Sequence, residues 1–347
     1  MRRKPGRSRG CLGHATMAEP SWLTLLSTGA LGFSVLAYVL LDGTDLGVGM
    51  LVGLERREAH RQVMVLSILP VWDANETWLV LGGGGLLALF PQAYALLLPA
   101  LYVPFLVMFA ALVLRAMALE FREHVSRKRL PDAVLVLGSL IATLAQGLIM
   151  GTLLQGITWA PAATGGQFNG SGWEWLRPFP LFCAVAHVSG YLWLGSCWLY
   201  WRTQGPLQGR SKRQAAWLAP IAVVLVAGVV AWASLLNEHY AERLSQGSLL
   251  PPATGLVAAL MVLFALGLRG RRDALPLVAA LGMVVVGFGF LAFAVFPLIV
   301  PPALTLAQAA AGPRTQIFVL VGFAVWMPIT LAYNTFGFSL FAGKIRG

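Results

Sequence analysis

The sequence predicts an all-α, polytopic integral membrane protein of about nine transmembrane helices. Three observations predict it. Of 347 residues, 58% are hydrophobic and only 11% charged, where a soluble domain carries about 25% charged residues. Nine stretches are long and apolar enough to cross a bilayer, which takes about 20 residues each. The basic residues between those stretches fall in every second loop. A soluble globular enzyme is close to excluded, because 25 Lys and Arg with 14 Asp and Glu are too few to cover its surface. Disorder is excluded because disordered segments are poor in apolar residues. The net charge of +11 is read by its position in loops, not as a footprint for nucleic acid.

The first span covers roughly 21–54. At 1.5 Å per residue that is about 50 Å of helix against about 30 Å of hydrocarbon. It is therefore expected to tilt, kink or break, with Gly43, Gly47, Gly49 and Gly53 as weak points. The others cover roughly 64–90, 92–120, 131–155, 178–201, 214–236, 252–268, 274–297 and 316–342. One set of loops holds Arg56, Arg57 and Arg61, then Arg122 to Arg129, Arg202 to Arg213, Arg269 to Arg272, and finally Lys344 and Arg346, 16 positive charges in all. The alternate loops hold three, Arg177, Arg243 and Arg314. Positive loops face the cytoplasm, so the N-terminus is expected outside and the C-terminus inside.

Residues 1–16 carry Arg2, Arg3, Lys4, Arg7 and Arg9 on the wrong side for that rule. They are read as an extension preceding a true start at Met17, which leaves 17–347 as a single membrane domain. The outer loop 156–177, with Trp159, Trp173 and Trp175, suits an interfacial aromatic belt. Cys11, Cys183 and Cys197 make neither a disulfide framework nor a metal-binding spacing, and the last two read as buried thiols.

Ionisable residues inside spans are costly and so are functional candidates. Five stand out: Asp42, Asp45, Asp73, Glu76 and Arg115. Asp42 and Asp45 in LLDGTDLGVGM are three residues apart, as are Asp73 and Glu76 in PVWDANETW, so each pair shares a helix face. Arg115 lies in the third span. A single base neutralises a single acid. The surplus acid leaves two roles open, an ion-paired cluster and a proton-conducting chain. Among the histidines only His187 falls inside a span. A bis-histidine haem needs two such ligands, so a hydrogen-bonded packing role is favoured over haem ligation. Gly82–Gly85 reads as a site of close helix packing, and Gln146, Gln155 and Asn334 as polar groups bonding across helices.

On these residues the chain resembles subunit II of the cytochrome bd-type quinol oxidases, including the cyanide-insensitive branch. LDGTDLGVGML, PVWDANETWLVLGGGGLLALFPQAYA and LVLRAMALEFR carry the resemblance in the first three spans. TLLQG, FPLIVPPALTL and PITLAYNTFGFSLFAGK extend it over about 21–345. Ala74 stands where the family has Gly, and Ala116 where it has Pro after the intramembrane arginine. The resemblance implies a haem-free subunit in a bacterial cytoplasmic membrane, paired with a subunit I that bears two b-type haems and one d-type haem. A small single-span subunit is a further candidate partner. The complex would oxidise quinol and reduce oxygen to water, taking protons from the cytoplasm. Asp73 would be the main proton-route candidate, with Glu76, Asp42, Asp45 and Arg115 beside it. A stand-alone proton-coupled transporter is the rival reading, although no internal repeat of the kind common in transporters is evident.

Overall fold

A computed structural model describes residues 19–159, 168–246, 250–270, 272–302, 304–340 and 343–345. The basic extension at 1–16 lies outside the described residues. Helix α1 (Trp22–Val52) starts at Ser21, whose hydroxyl accepts the Thr24 N–H at 3.2 Å. It runs unbroken for 31 residues, so the expected break does not occur. Its glycines serve packing instead. A Cβ on Gly47 would collide with the Tyr191 carbonyl, and Gly195 faces Gly47 from the other side. Gly49 lies against Ser139. In lipid, where burial of apolar surface gives helices little reason to associate, such close backbone approach is what holds them together.

The second expected span divides into α2 (Glu58–Ile68) and α3 (Trp72–Leu89). Pro70 sits in the break, where it has no N–H to continue the helix. The third expected span divides as well. Its α4 (Pro91–Ala100) is bent by 119° from α3, and α5 (Tyr102–Phe121) follows after Leu101. Pro91 opens α4 and Pro104 lies in the first turn of α5, places where a missing N–H costs nothing. The remaining helices are α6 (Arg129–Gln155), α7 (Pro178–Arg202), α8 (Gly205–Leu236), α9 (Glu238–Gln246), α10 (Leu250–Arg269) and α11 (Leu275–Val295). A two-stranded antiparallel pair, β1 (Leu298–Val300) and β2 (Leu304–Thr305), then precedes the single turn α12 (Leu306–Ala309) and α13 (Pro313–Leu340). Among the described residues eight helices are long and apolar enough to span a membrane, and the bent α3/α4 pair makes nine.

The loop alternation is visible as geometry, because the basic loops meet at one end of the bundle. Arg210 Nη1 lies 2.6 Å from Glu55 Oε2, and Arg122 binds Asp132 at 2.7 Å and Glu58 at 3.0 Å. At that end Lys344 pairs with Asp273, and Arg202 Nη1 donates to Gly343 O at 2.8 Å. The opposite loops meet at the other end, where Ile157 N–H donates to Pro301 O at 3.0 Å and Ala311 N–H to Leu89 O at 2.8 Å. Helix α1 packs against α3, α6 and α7 and has its C-terminal half inside the bundle. All of its residues from Asp42 to Val52 are buried.

Candidate functional site

Three helices bring the expected acids and base together. Asp42 and Asp45 project from α1, and neither side chain is exposed. Arg115, on the seventh residue from the end of α5, is also fully buried. Its Nη1 lies 3.0 Å from Asp42 Oδ1 and 2.9 Å from Glu76 Oε1. One nitrogen of the guanidinium, Nη1, therefore lies between carboxylates from two different helices, while Nε and Nη2 have no hydrogen-bond partner among the described residues. Asp45 is held separately, by Asn75 Nδ2 donating to its Oδ2 at 2.7 Å. Asn75 thus joins the site, although the sequence reading gave it no role.

The pair on α3 is divided by its surroundings. Glu76 faces the buried arginine and keeps 24% of its side chain exposed. Asp73, one turn earlier, is exposed in the first turn of α3 and has no ion-pair partner among the described residues. An acid in that position is favoured by the helix dipole. Asp73 is thus at the surface, with Glu76 just behind it and Arg115, Asp42 and Asp45 further in. Several polar atoms of this region are buried with no hydrogen-bond partner: Asp42 Oδ2, Asp45 Oδ1, Asn75 Oδ1, Arg115 Nε and Nη2, Trp78 Nε1 and Ser139 Oγ. Buried polar groups are nearly always satisfied, so these atoms require hydrogen-bonding partners such as bound water.

The other polar residues are placed as follows. His187 does not face the acids. Its Nε2 meets Gln146 Oε1 at 3.4 Å and its ring packs on Tyr191 at 4.4 Å. Gln146 bonds across helices as expected, to Tyr38 and Tyr191. Neither side-chain atom of Asn334 has a partner, nor does Gln155 Nε2, and all three atoms are buried. Among the described residues these three atoms form none of the expected cross-helix bonds. Of Gly82–Gly85 only Gly85 packs closely, so tightly that a Cβ would lie 2.7 Å from Phe323 Cζ; Gly82 has room for a Cβ beside Val35, and Gly83 and Gly84 face open space. Cys183 and Cys197 are buried free thiols. Among the described residues no three His, Cys, Asp or Glu side chains converge as metal ligands.

At the basic end a second ionic group closes the loops. Arg122 is fully buried among Asp132, Glu58 and Gln62, and Arg61 reaches both Asp132 and Glu58. The hydrogen bond from Arg61 holds the Glu58 carboxyl below the usual range, helped by the charge of Arg122. Burial pushes the Glu55 carboxyl up. The Arg57 N–H, His60 and Arg210 outweigh it and leave Glu55 below its ordinary value. Both carboxylates are thus charged anchors for the loops.

Comparison with known proteins shows the family. A family model described as cytochrome bd terminal oxidase subunit II matches residues 23–341. Subunit 2 of the cytochrome bd ubiquinol oxidase of Bacillus subtilis (strain 168) is 25% identical over 334 residues, covering 93% of this chain and 96% of that protein. Subunit 2 of the cytochrome bd-I ubiquinol oxidase of Escherichia coli (strain K12) is 30% identical over 227 residues, 64% of this chain and 59% of that one. The solved bd oxidase of Geobacillus thermodenitrificans contains a chain of like fold, with a TM-score of 0.75 at 16% identity over 92% of this chain and 98% of that one.

Proposed function

The chain belongs to the family of cytochrome bd terminal oxidase subunit II, and we propose that its acids line part of the route by which such an oxidase takes up protons from the basic end of the bundle. The protein is a multi-pass bacterial membrane subunit of a quinol-oxidising oxidoreductase, and the rival reading as a stand-alone transporter has no support among its relatives. The basic end is the cytoplasmic one, by the positive-inside rule. The membrane is the cytoplasmic membrane.

Haem would supply the redox chemistry of the complex, as two b-type groups and one d-type group. Among the described residues, the one histidine deep inside a span does not fit a haem. His187 already turns Nε2 to Gln146 and packs its ring on Tyr191. The haems therefore belong to subunit I, the partner in a heterodimer that a small single-span subunit would complete.

The exposed stripe of α3 suits that partner. Asp73, Thr77, Val80, Gly84 and Leu87 recur at helical spacing and all face outward. An uncovered carboxylate at the start of this stripe is expensive against lipid, whereas Gly83 and Gly84 would let a partner helix approach closely. Asp73 would then lie at the seam of the two subunits.

The observation that carries the proton reading is the buried arrangement around Arg115. One guanidinium balances one carboxylate, yet Asp42 and Glu76 both meet it and Asp45 lies one turn beyond Asp42 on α1. The excess acid gives a mobile proton somewhere to reside. Water on the unpartnered atoms of Asp42, Asp45, Asn75 and Arg115 would link these stations to Asp73. The test is Glu76→Gln in the assembled oxidase, which removes one acid of the site and keeps its size. Quinol-driven oxygen uptake should fall about tenfold or more while the haem spectrum keeps its intensity. Oxygen uptake at the wild-type rate would overturn the reading.

A further inference from the structure

Behind the acids lies a second buried polar group, built from three helices. Tyr38 precedes Asp42 by four residues on α1 and so shares its face. Gln146 comes from α6, and His187 and Tyr191, again four apart, from α7. Gln146 Nε2 donates to Tyr38 Oη at 2.8 Å. The Tyr191 hydroxyl donates to Gln146 Oε1 at 3.0 Å, and His187 Nε2 meets the same oxygen at 3.4 Å. Glycine at 43 makes room for this group, because a Cβ there would lie 2.7 Å from Tyr191 Cε1.

The donors and acceptors run in one direction. The carboxamide oxygen of Gln146 is taken by Tyr191 and His187, so its nitrogen is the end that faces Tyr38. That N–H occupies a lone pair on the Tyr38 oxygen and leaves the Tyr38 O–H free to donate. Asp42 lies one turn on from Tyr38 on the same face of α1, and neither oxygen of its carboxylate has a hydrogen-bond partner among the described residues. We propose that Tyr38, held by Gln146 and through it by Tyr191, is a positioning residue for Asp42, with a chain of donors running Tyr191 to Gln146 to Tyr38 to the carboxylate. No bond is made or broken in this role. The chain fixes the orientation of the Asp42 carboxylate, and it shares the charge of that group with Arg115.

This inference rests on the proton reading above and deepens it. Among the described residues, the charged and titratable groups around Asp42 are Tyr38 and Asp45 on its own helix, Glu76 from α3, Arg115 from α5 and Tyr191 from α7. Helix α6 contributes the neutral Gln146.

The test uses the assembled oxidase and the pH profile of its quinol-driven oxygen uptake. Tyr38→Phe keeps the ring and removes the donor. It should displace the midpoint of the profile by about one pH unit, a tenfold change in proton binding, as expected for the loss of a hydrogen bond to a charged group. Gln146→Leu should displace it in the same sense and by less. The double variant should move no further than Tyr38→Phe alone, because Gln146 acts through Tyr38. An unmoved midpoint in Tyr38→Phe, or additive shifts in the double variant, would overturn the inference. Should Tyr38→Phe fail to assemble, the infrared carboxyl band lost in Asp42→Asn supplies the readout. Gln146→Leu should shift that band, and an unshifted band counts against the inference. If Glu76→Gln leaves oxygen uptake intact, the proton reading itself fails. If Glu76→Gln slows it while Tyr38→Phe leaves the midpoint in place, only the role of Tyr38 is lost.

Discussion

Replacing Arg115 by Met tests how the buried charges are balanced. The side chain is fully buried and sits about 3 Å from two carboxylates, at 3.0 Å from Asp42 and 2.9 Å from Glu76. At an effective dielectric near 20, a unit pair about 4 Å apart is worth about 4 kcal/mol. Methionine restores much of the volume and none of the charge. Glu76 keeps 24% of its side chain exposed and can draw on solvent, but Asp42 has no exposure at all. The penalty of a lone buried charge therefore falls on Asp42, and Arg115→Met should cost about 3–5 kcal/mol. Adding Asp42→Asn removes that charge and should recover about 2–3 kcal/mol of the loss. Arg115→Lys should fall between wild type and Met, because the ammonium keeps the charge but sits on a shorter side chain than the guanidinium whose Nη1 meets both acids. Reversible detergent-titration unfolding of the purified oxidase, with all four variants compared, measures the cycle. A double variant as destabilised as the sum of its two singles would refute the reasoning, since the acids and the base would then not be coupled.

Three further outcomes follow from the same structure. Gly47→Ala places a methyl group into the Tyr191 carbonyl and should prevent accumulation of the subunit in membranes, whereas Gly255→Ala, with open space around it, should be neutral or stabilising by up to about 1 kcal/mol; immunoblots of membrane fractions read both. Burial pushes the Asp273 carboxyl up, but Lys344, Tyr200 and Gln208 together hold it below its ordinary value. A depressed carboxylate gives stability that is complete above its unfolded value of about 4 and disappears as pH falls through the lower folded value, so Lys344→Ala should lower the Tm at pH 7 and flatten its acid limb below about pH 4. Asp73→Asn should leave the unfolding free energy of the separately purified subunit within about 0.5 kcal/mol of wild type, because the residue is exposed on this chain and forms no ion pair among the described residues; a large loss in a detergent titration of that subunit would contradict that placement.

The spans were legible because a bilayer imposes its thickness on the sequence, and Arg122 to Arg129 or Arg202 to Arg213 mark the loops without reference to packing. Their breaks were less legible. Pro70 and Pro91 are visible in the sequence, but membrane helices tolerate proline when neighbours satisfy the freed carbonyls, so only the packed structure decides between a kink and the 119° bend. The same holds for the glycines of α1, which look like weak points and act as contact surfaces for α6 and α7. The acids were found by their cost in lipid, and the spacing of Asp42 with Asp45 placed them correctly on one buried face. Spacing alone did not show that Asp73 and Glu76, which share a face of α3, differ in surroundings, Asp73 being exposed and Glu76 half-buried against Arg115. Asn75 and Tyr38 carry no charge, so nothing at the level of composition separated them from ordinary packing residues. Their roles come from neighbours that are 30 and 108 residues away in the chain.

The most direct measurement of the central claim is time-resolved proton uptake. The assembled oxidase would be reconstituted with its basic end facing a pH-sensitive dye, and oxygen added to the reduced enzyme. In the wild type, proton uptake should keep pace with oxygen reduction. In Glu76→Gln and Asp73→Asn, uptake from that side should slow about tenfold or more while haem content and quinol binding stay unchanged. Uptake at the wild-type rate in both variants would contradict the account and leave the buried acids as structural ion pairs.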